Sequence, residues 1–329
     1  MRKTVVVSNW VHREILDYLS AYADVIANDT REPWPRDRLI DECSRATALM
    51  AFMPDHVDEA FLAACPSLRM IGCALKGYDN FDMEACRHHG VTLSIIPDLL
   101  TDPTAELAVG LIIALGRNIL PGDAFVRSNR FAGWRPSLYG VGLSGSIVGV
   151  VGMGAVGQAI ARRLRPFDAA VWYADPHPLA PEQEQSLMAR RTTLSDIALA
   201  CDFIVAAAPL LDGTKHLIGA DFLRQVKPGA KLVNVGRGSV VDENAVADAL
   251  AEGRLGGYAA DVYELEDWAR SDRPLSIPPR LLSLEDRTVL TPHLGSAVDK
   301  VRIDIAMRAA HNIVQFLAGE QPVDAIAAE

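Results

Sequence analysis

Two doubly wound α/β domains, each built on a parallel sheet, are what this sequence predicts, and three observations carry the prediction. The chain has 329 residues, half of them hydrophobic, which is longer than a single core usually supports. Strand-like and helical stretches alternate from Thr4 to Ile95, the rhythm of a parallel sheet. At Ile147 the rhythm restarts, and the run Ile147-Val-Gly-Val-Val-Gly-Met-Gly-Ala-Val-Gly157 joins a β-branched strand to a glycine turn and an apolar helix start.

In the first series, strands are read at Thr4–Ser8, Asp24–Asn28, Ala46–Phe52, Leu68–Leu75 and Val91–Ile95, with helices over Val11–Tyr22 and Asp82–His88. Thr104–Gly116 is an apolar segment suited to crossing between domains. The second series reads Ile147–Val151, Ala169–Asp175, Phe203–Ala208, Lys231–Gly236, Gly256–Val262 and Thr288–Thr291, with helices including Ala155–Leu164 and Glu243–Glu252. Six strands complete a dinucleotide-binding sheet. Arg270–Pro279, rich in Pro and Ser, reads as a surface loop. Ser296–Leu317 places Val301, Ile305, Ala309 and Ile313 on one helical stripe, so it is expected to return to the first domain. The expected boundaries are therefore 1–99 with 299–329 for one domain and 100–298 for the other.

The formal net charge of −10 argues against nucleic acid and anionic membrane as partners, since both demand an excess of basic residues. Five cysteines without a CxxC pair suggest reduced, buried thiols, not a disulfide framework or a zinc site, and no metal is expected. The start, Met1 to Trp10, holds only a three-residue apolar run and suits a first strand better than a signal peptide. No apolar run approaches a membrane span. A soluble cytoplasmic protein is expected.

The glycine run predicts where a dinucleotide sits. Gly152 permits the tight turn, Gly154 keeps the backbone open to a pyrophosphate, and Gly157 lets the helix approach the strand, with Ala155 and Val156 opening that helix at the phosphates. The helix start offers a positive end to them. Eighteen residues past Gly157 stands Asp175, whose carboxylate can accept from an adenosine ribose, which favours NAD over NADP; His177 could sit near a 2′-phosphate. Ligands of such sheets lie at the carboxyl ends of the strands, where Arg237, Glu266 and His293 fall. An arginine fork can hold an oxyanion, a histidine can move a proton near neutral pH, and a carboxylate can favour the imidazolium. Each has a plainer reading as well: a helix cap or surface pair for Arg237, membership of the acidic cluster Glu264–Asp267 for Glu266, a structural loop residue for His293.

The pattern Asn234-Val-Gly-Arg-Gly-Ser239, then Ala260-Asp-Val262 and Glu266, then Thr291-Pro-His-Leu-Gly-Ser296 resembles the D-2-hydroxyacid dehydrogenase superfamily, and the likeness spans the whole chain. The resemblance implies a Rossmann NAD-binding domain and a flavodoxin-like substrate domain. It implies that Arg237 binds the substrate anion, His293 is the acid/base, Glu266 orients His293 and Asp261 contacts the nicotinamide end. Ala206-Ala-Ala-Pro209 matches the loop against the cofactor, which gives contacts at Ala207, Ala208 and Pro209. Val235 joins these cofactor residues, and Thr104 matches a position near the nicotinamide half.

Within the superfamily, local segments resemble the phosphite dehydrogenases: Met50-Ala-Phe-Met-Pro-Asp55, Gly72-Cys-Ala-Leu-Lys-Gly-Tyr-Asp-Asn-Phe-Asp82, Pro97-Asp-Leu-Leu-Thr101, Pro103-Thr-Ala-Glu106, Gly257 to Arg270 and Pro292-His-Leu-Gly-Ser-Ala-Val298. The likeness implies that Lys76 faces the substrate, that Met53 and Arg302 line its site, and that Trp134, Tyr139 and Ser296 lie close by. Asp175 stands where a glutamate can occur, and Val235-Gly236 where Pro-Cys is possible. Phosphite near neutral pH is largely a dianion and needs more positive charge than a single carboxylate does; Lys76, Arg237 and Arg302 are the candidates. The expected reaction sends hydride from the P–H bond to NAD while water attacks phosphorus, with His293 taking the water proton. The alternative is an NAD-dependent dehydrogenase of glycerate or glyoxylate type using the same arginine, glutamate and histidine; an NADH-sensing corepressor-like binding protein is a third reading. The aromatics beyond the crossing helix suggest a homodimer.

Overall fold

β-Branched and small apolar residues set the first sheet: β1 (Thr4–Val7), β2 (Asp24–Ala27), β3 (Ala48–Ala51), β4 (Met70–Cys73) and β5 (Thr92–Ser94). In the computed structural model, which describes residues 2–326, these strands are all parallel in the order β2-β1-β3-β4-β5. That is the flavodoxin-type order. β3 and β4 are buried along their whole length, as a sheet covered on both faces requires. One face packs Val6, Leu49 and Ile71 with Phe61 and Leu62; the other packs Val5, Val7, Met50 and Met70 with Ile305, Ala309 and Ile313. The latter three come from the helix Asp299–Leu317. This helix lies so close to β4 that a Cβ on Gly72 would sit 2.7 Å from Ile313 Cγ1. The first compact unit therefore joins the stretch up to Leu100 with Trp268–Asp272 and the chain from Ser296 onward.

Just beyond β3, the carboxylate of Asp55 is buried and accepts from Ser8 Oγ (2.5 Å) and from the N–H of Phe52 (2.7 Å) through Oδ2. Burial outweighs those two bonds and pushes its pKa up to about 6. A raised carboxyl pKa means that the group favours the fold fully below the ordinary carboxylate range and loses that contribution as pH rises through about 6. Asp55→Asn is therefore expected to gain stability relative to the parent between pH 4.5 and pH 7.5, on the order of 2 kcal/mol. Thermal midpoints of both proteins at the two pH values check it; a difference that does not change with pH would refute it.

The second unit, Thr101–Asp267 with Arg273–Gly295, holds β6 (Ile147–Val151), β7 (Ala170–Ala174), β8 (Ala189–Arg191), β9 (Phe203–Ala206), β10 (Lys231–Asn234), β11 (Gly257–Ala260) and β12 (Thr288–Leu290). All seven are parallel in the order β12-β11-β10-β9-β6-β7-β8. The strand order reverses between β6 and β9, which is where a doubly wound sheet opens to a ligand. β8 is a seventh strand where the sequence predicts six. Ala-Arg-Arg has no apolar alternation, and both arginines are exposed on this edge strand.

The apolar segment after the first unit is a helix from Thr101 to Gly116, which begins ahead of the predicted start because Pro103 fits a first helical turn. Ala105, Ala108, Leu111, Ile112 and Leu115 are core residues against Val148, Val150 and Ala259. Its apolar character thus belongs to a buried helix. Among the described residues, no single helix is long and apolar enough to cross a membrane. All five cysteines are buried and free, and burial pushes the thiols of Cys65 and Cys86 up to about 11.

Candidate active site

The ends of β6, β9 and β10 come together through backbone contacts that leave no room for side chains. Gly152 has φ of +96°, and a Cβ there would lie 2.7 Å from Ala208 N. A Cβ on Gly157 would fall 2.3 Å from Gly152 O, and one on Gly236 2.6 Å from Ala208 O. These glycines let the helix Ala155–Leu164 and the segment Ala207–Pro209 close on the end of β6. Gly154 differs: it caps that helix without a side-chain bond, and a Cβ there would meet nothing within 4 Å. The space beside Gly154 at the head of this helix is therefore open, as close approach of a pyrophosphate to a helix start requires. Val156 is half-buried and Val235 buried beside this turn.

Asp175 follows β7. Its Oδ2 accepts from the N–H of Met153 (2.7 Å) and its Oδ1 from the N–H of His177 (2.8 Å), so each oxygen keeps capacity for a ribose hydroxyl. The exposed imidazole of His177 stands 3.7 Å from Oδ1. The residues present thus fit a dinucleotide: an open helix start at Gly154 for the phosphates, and a fixed carboxylate one strand over.

His293 follows β12 with φ of +56°, and its Nδ1 lies 2.5 Å from Glu266 Oε2. The other carboxylate oxygen of Glu266 accepts from the N–H of Tyr263 (3.0 Å), which fixes the side chain. A carboxylate on Nδ1 puts the ring proton there and leaves Nε2 to give or take one. Asp261 has a task the sequence did not show. Its Oδ1 accepts from Thr291 Oγ1 and the N–H of Leu294 (both 2.6 Å), and its Oδ2 from the N–H of Gly295 (2.8 Å). The buried carboxylate therefore holds the turn on which His293 sits. Thr104 closes the same turn, since a Cβ on Gly295 would lie 3.0 Å from its Oγ1. Arg237 sits in extended backbone at the head of the turn Gly238–Val240, and its Nη1 donates to Gly236 O (3.1 Å). Gly238 lies directly on Tyr263, with 1.9 Å from a would-be Cβ to the Tyr263 carbonyl carbon. The turns bearing Arg237 and Glu266 are thus in contact.

Lys76, Met53, Ser296 and Arg302 belong to the first unit. Lys76 lies in the loop after β4 and is half-buried; burial lowers its pKa, partly offset by Asp98. Asp98 itself accepts from Arg308 (2.9 Å). Arg302 has its guanidinium carbon 6.0 Å from the Phe52 ring centroid and donates to Ser296 Oγ (3.3 Å); burial lowers its pKa as well. Among the described residues, neither Lys76 nor Arg302 makes an ion pair. Met53 packs on the core face that holds Phe61. Trp134 and Tyr139, in the second unit, are 85% and 78% exposed, and no hydrogen bond or ring contact joins either to His293, Glu266 or Arg237.

A sheet that reverses at β6 and β9, an open phosphate turn and a histidine–carboxylate pair define an NAD-dependent oxidoreductase. Residues 109–295 match the model of the D-isomer specific 2-hydroxyacid dehydrogenase NAD-binding domain. A glyoxylate reductase of Thermococcus litoralis is 36% identical over 299 residues, 89% of this chain and 87% of that protein. A human glyoxylate reductase/hydroxypyruvate reductase is 34% identical over 294 residues, again 89% and 87%. Among solved structures, a Thermus thermophilus protein superposes with a TM-score of 0.87 at 29% identity, covering 98% of this chain and all of that one. The NADPH-dependent glyoxylate/hydroxypyruvate reductase of Sinorhizobium meliloti, solved with NADP and malonate, superposes with a TM-score of 0.85 at 26% identity over 99% and 97%. The chain belongs to the D-isomer specific 2-hydroxyacid dehydrogenase family, whose NAD-binding domain it carries. The names of these relatives agree with the 2-hydroxyacid alternative better than with phosphite oxidation.

Proposed function

We propose that this family member oxidises phosphite to phosphate with NAD as hydride acceptor. One observation supports that substrate above others: Lys76 and Arg302 are partly buried cations without an ion-pair partner among the described residues. Unpaired buried charge is costly. A doubly negative oxoanion offsets it better than the single carboxylate of a hydroxy acid. The resemblance of the Lys76 loop and the Trp268 segment to phosphite dehydrogenases points the same way.

Bound NAD supplies the hydride acceptor. Lys76 and Arg302 bind oxoanion oxygens, and Arg237 stabilises charge as the phosphorus centre rearranges. His293 takes a proton from water through Nε2 while Glu266 holds the imidazolium on Nδ1. Phosphorus loses hydride and gains hydroxide, so phosphite, water and NAD give phosphate, NADH and one proton. Asp175 favours NAD over NADP, because its carboxylate would face a 2′-phosphate.

A second reading, reduction of glyoxylate or hydroxypyruvate, is favoured by the names of the relatives. In that direction His293 donates its proton to the substrate carbonyl. Initial rates of NADH formation with phosphite, set beside NADH consumption with glyoxylate on one preparation, decide between the readings. Phosphite turnover accompanied by inorganic phosphate supports the first; glyoxylate turnover alone would replace it with the second.

Lys76→Ala is expected to raise the phosphite KM about tenfold or more, the loss of one charged hydrogen bond, while the Kd for NAD stays as in the parent. Titration of both ligands checks this, and equal weakening of the two would refute it. The exposed apolar residues Ile119, Val126, Phe131, Trp134 and Tyr139 lie in one stretch and suit a homodimer contact. Sedimentation at micromolar concentration is expected to show a dimer, and a monomer there would refute it.

A further inference from the structure

The turn that carries Glu266 is fastened from behind by side chains outside the proton-transfer pair. Glu264 and Glu243 are both buried and lock reciprocally. The N–H of Glu264 donates to Oε1 of Glu243 (2.9 Å), and the N–H of Glu243 donates to Oε1 of Glu264 (3.2 Å). At the far end of the turn, buried Asp267 accepts from the N–H of Ser239 (2.9 Å), two residues past Arg237. Carboxyl groups this close repel one another. Burial, and then the charges of Glu264, Asp267 and Glu266, push Glu243 up to about 7.

A partner of opposite polarity reaches the cluster from a separate segment. His216 places Nε2 2.8 Å from Glu264 Oε2 and Nδ1 3.8 Å from Asp242. Its backbone is tied to the Arg237 turn as well: the N–H of His216 donates to Ser239 O (2.7 Å) and that of Ile218 to Val240 O (3.0 Å). The 216–218 segment thus connects the turn after β10, through its backbone, with the turn after β11, through the His216 imidazole.

We propose that His216 and Glu264 are positioning residues, and that the His216–Glu264–Glu243 clamp holds the 263–267 turn so that Glu266 stays against His293. The clamp touches no reacting atom and acts through the placement of Glu266. It rests on the reading of His293 and Glu266 as the acid/base pair.

His216 has φ of +50°, a conformation that asparagine adopts readily. His216→Asn therefore keeps the backbone but is too short to reach Glu264, whereas His216→Gln restores the reach and a donor. The assay follows NADH with phosphite, or with glyoxylate where phosphite gives no signal. His216→Asn is expected to lower kcat about tenfold, as displaced catalytic groups do, with the Kd for NAD unchanged and most of the rate recovered in His216→Gln. A His216→Asn protein with parental kcat would overturn the proposal. So would glutamine no better than asparagine, a loss of NAD affinity in step with kcat, or a far-UV spectrum showing an unfolded chain, which would make the role purely structural. His293→Asn run alongside separates the two ideas: near-parental turnover there removes the acid/base reading itself, whereas an inactive His293→Asn beside a fully active His216→Asn removes only the clamp.

Discussion

His293→Asn is expected to lower kcat about a thousandfold, within the range that general acid–base catalysis contributes, while NAD still binds. The asparagine amide can meet Glu266 but has no group that takes a proton at neutral pH. In the parent, Glu266 occupies Nδ1 at 2.5 Å and leaves Nε2 as the ring nitrogen for the proposed proton transfer. Asparagine also tolerates the φ of +56° at this position, so a folding defect does not confound the result. Stopped-flow transfer rates and calorimetric NAD binding on the same protein check both halves. A variant that turns over within a few-fold of the parent would mean that the proton moves elsewhere.

Arg237→Lys is expected to lose about a hundredfold in kcat/KM although the charge is retained, a loss similar to that of one transition-state donor. The guanidinium is a planar fork, and here one arm already donates to Gly236 O (3.1 Å), so its orientation is set before substrate arrives. An ammonium on a flexible stem keeps the attraction but not the two-point geometry. Steady-state kinetics with phosphite and with glyoxylate test it, and near-normal values for both would remove Arg237 from the chemistry.

The glycine turn was legible in the sequence because its requirements are local. Positive φ at Gly152 and close packing at Gly157 are imposed by neighbours a few residues away. The pairing of His293 with Glu266 was legible for a different reason: both follow strands, and strand ends in a doubly wound sheet gather on one edge. β8 was hidden because Ala-Arg-Arg on an edge carries no apolar period, and its pairing with Val171–Tyr173 supplies what propensity lacks. The anchoring roles of Asp261 and Glu264 were hidden too. Asp261 reads forward to residues 291, 294 and 295, and Glu264 back to residues 216 and 243; such pairings arise only once the sheet has formed. The plainer reading of Glu266 as one member of the acidic cluster Glu264–Asp267 gave no sign that Glu264 and Asp267 are buried. That Lys76 and Arg302 make no ion pair among the described residues is likewise a property of the assembled unit, since Asp98 bonds Arg308 and reaches Lys76 only through its field.

The helix Asp299–Leu317 sets an order of events during synthesis. β1 to β5 leave the ribosome early, but the sheet face bearing Met50 and Met70 is covered in part by Ile305, Ala309 and Ile313, which are made about two hundred residues later. Until those residues emerge, the nascent stretch up to Leu100 has Ile15 and Leu19 on that face but leaves the rest of it as apolar surface that chaperones can hold, while the stretch from Thr101 onward has nearly all its own strands to hand. Translation halted before Asp299 would leave that surface permanently uncovered, and such a fragment is expected to aggregate.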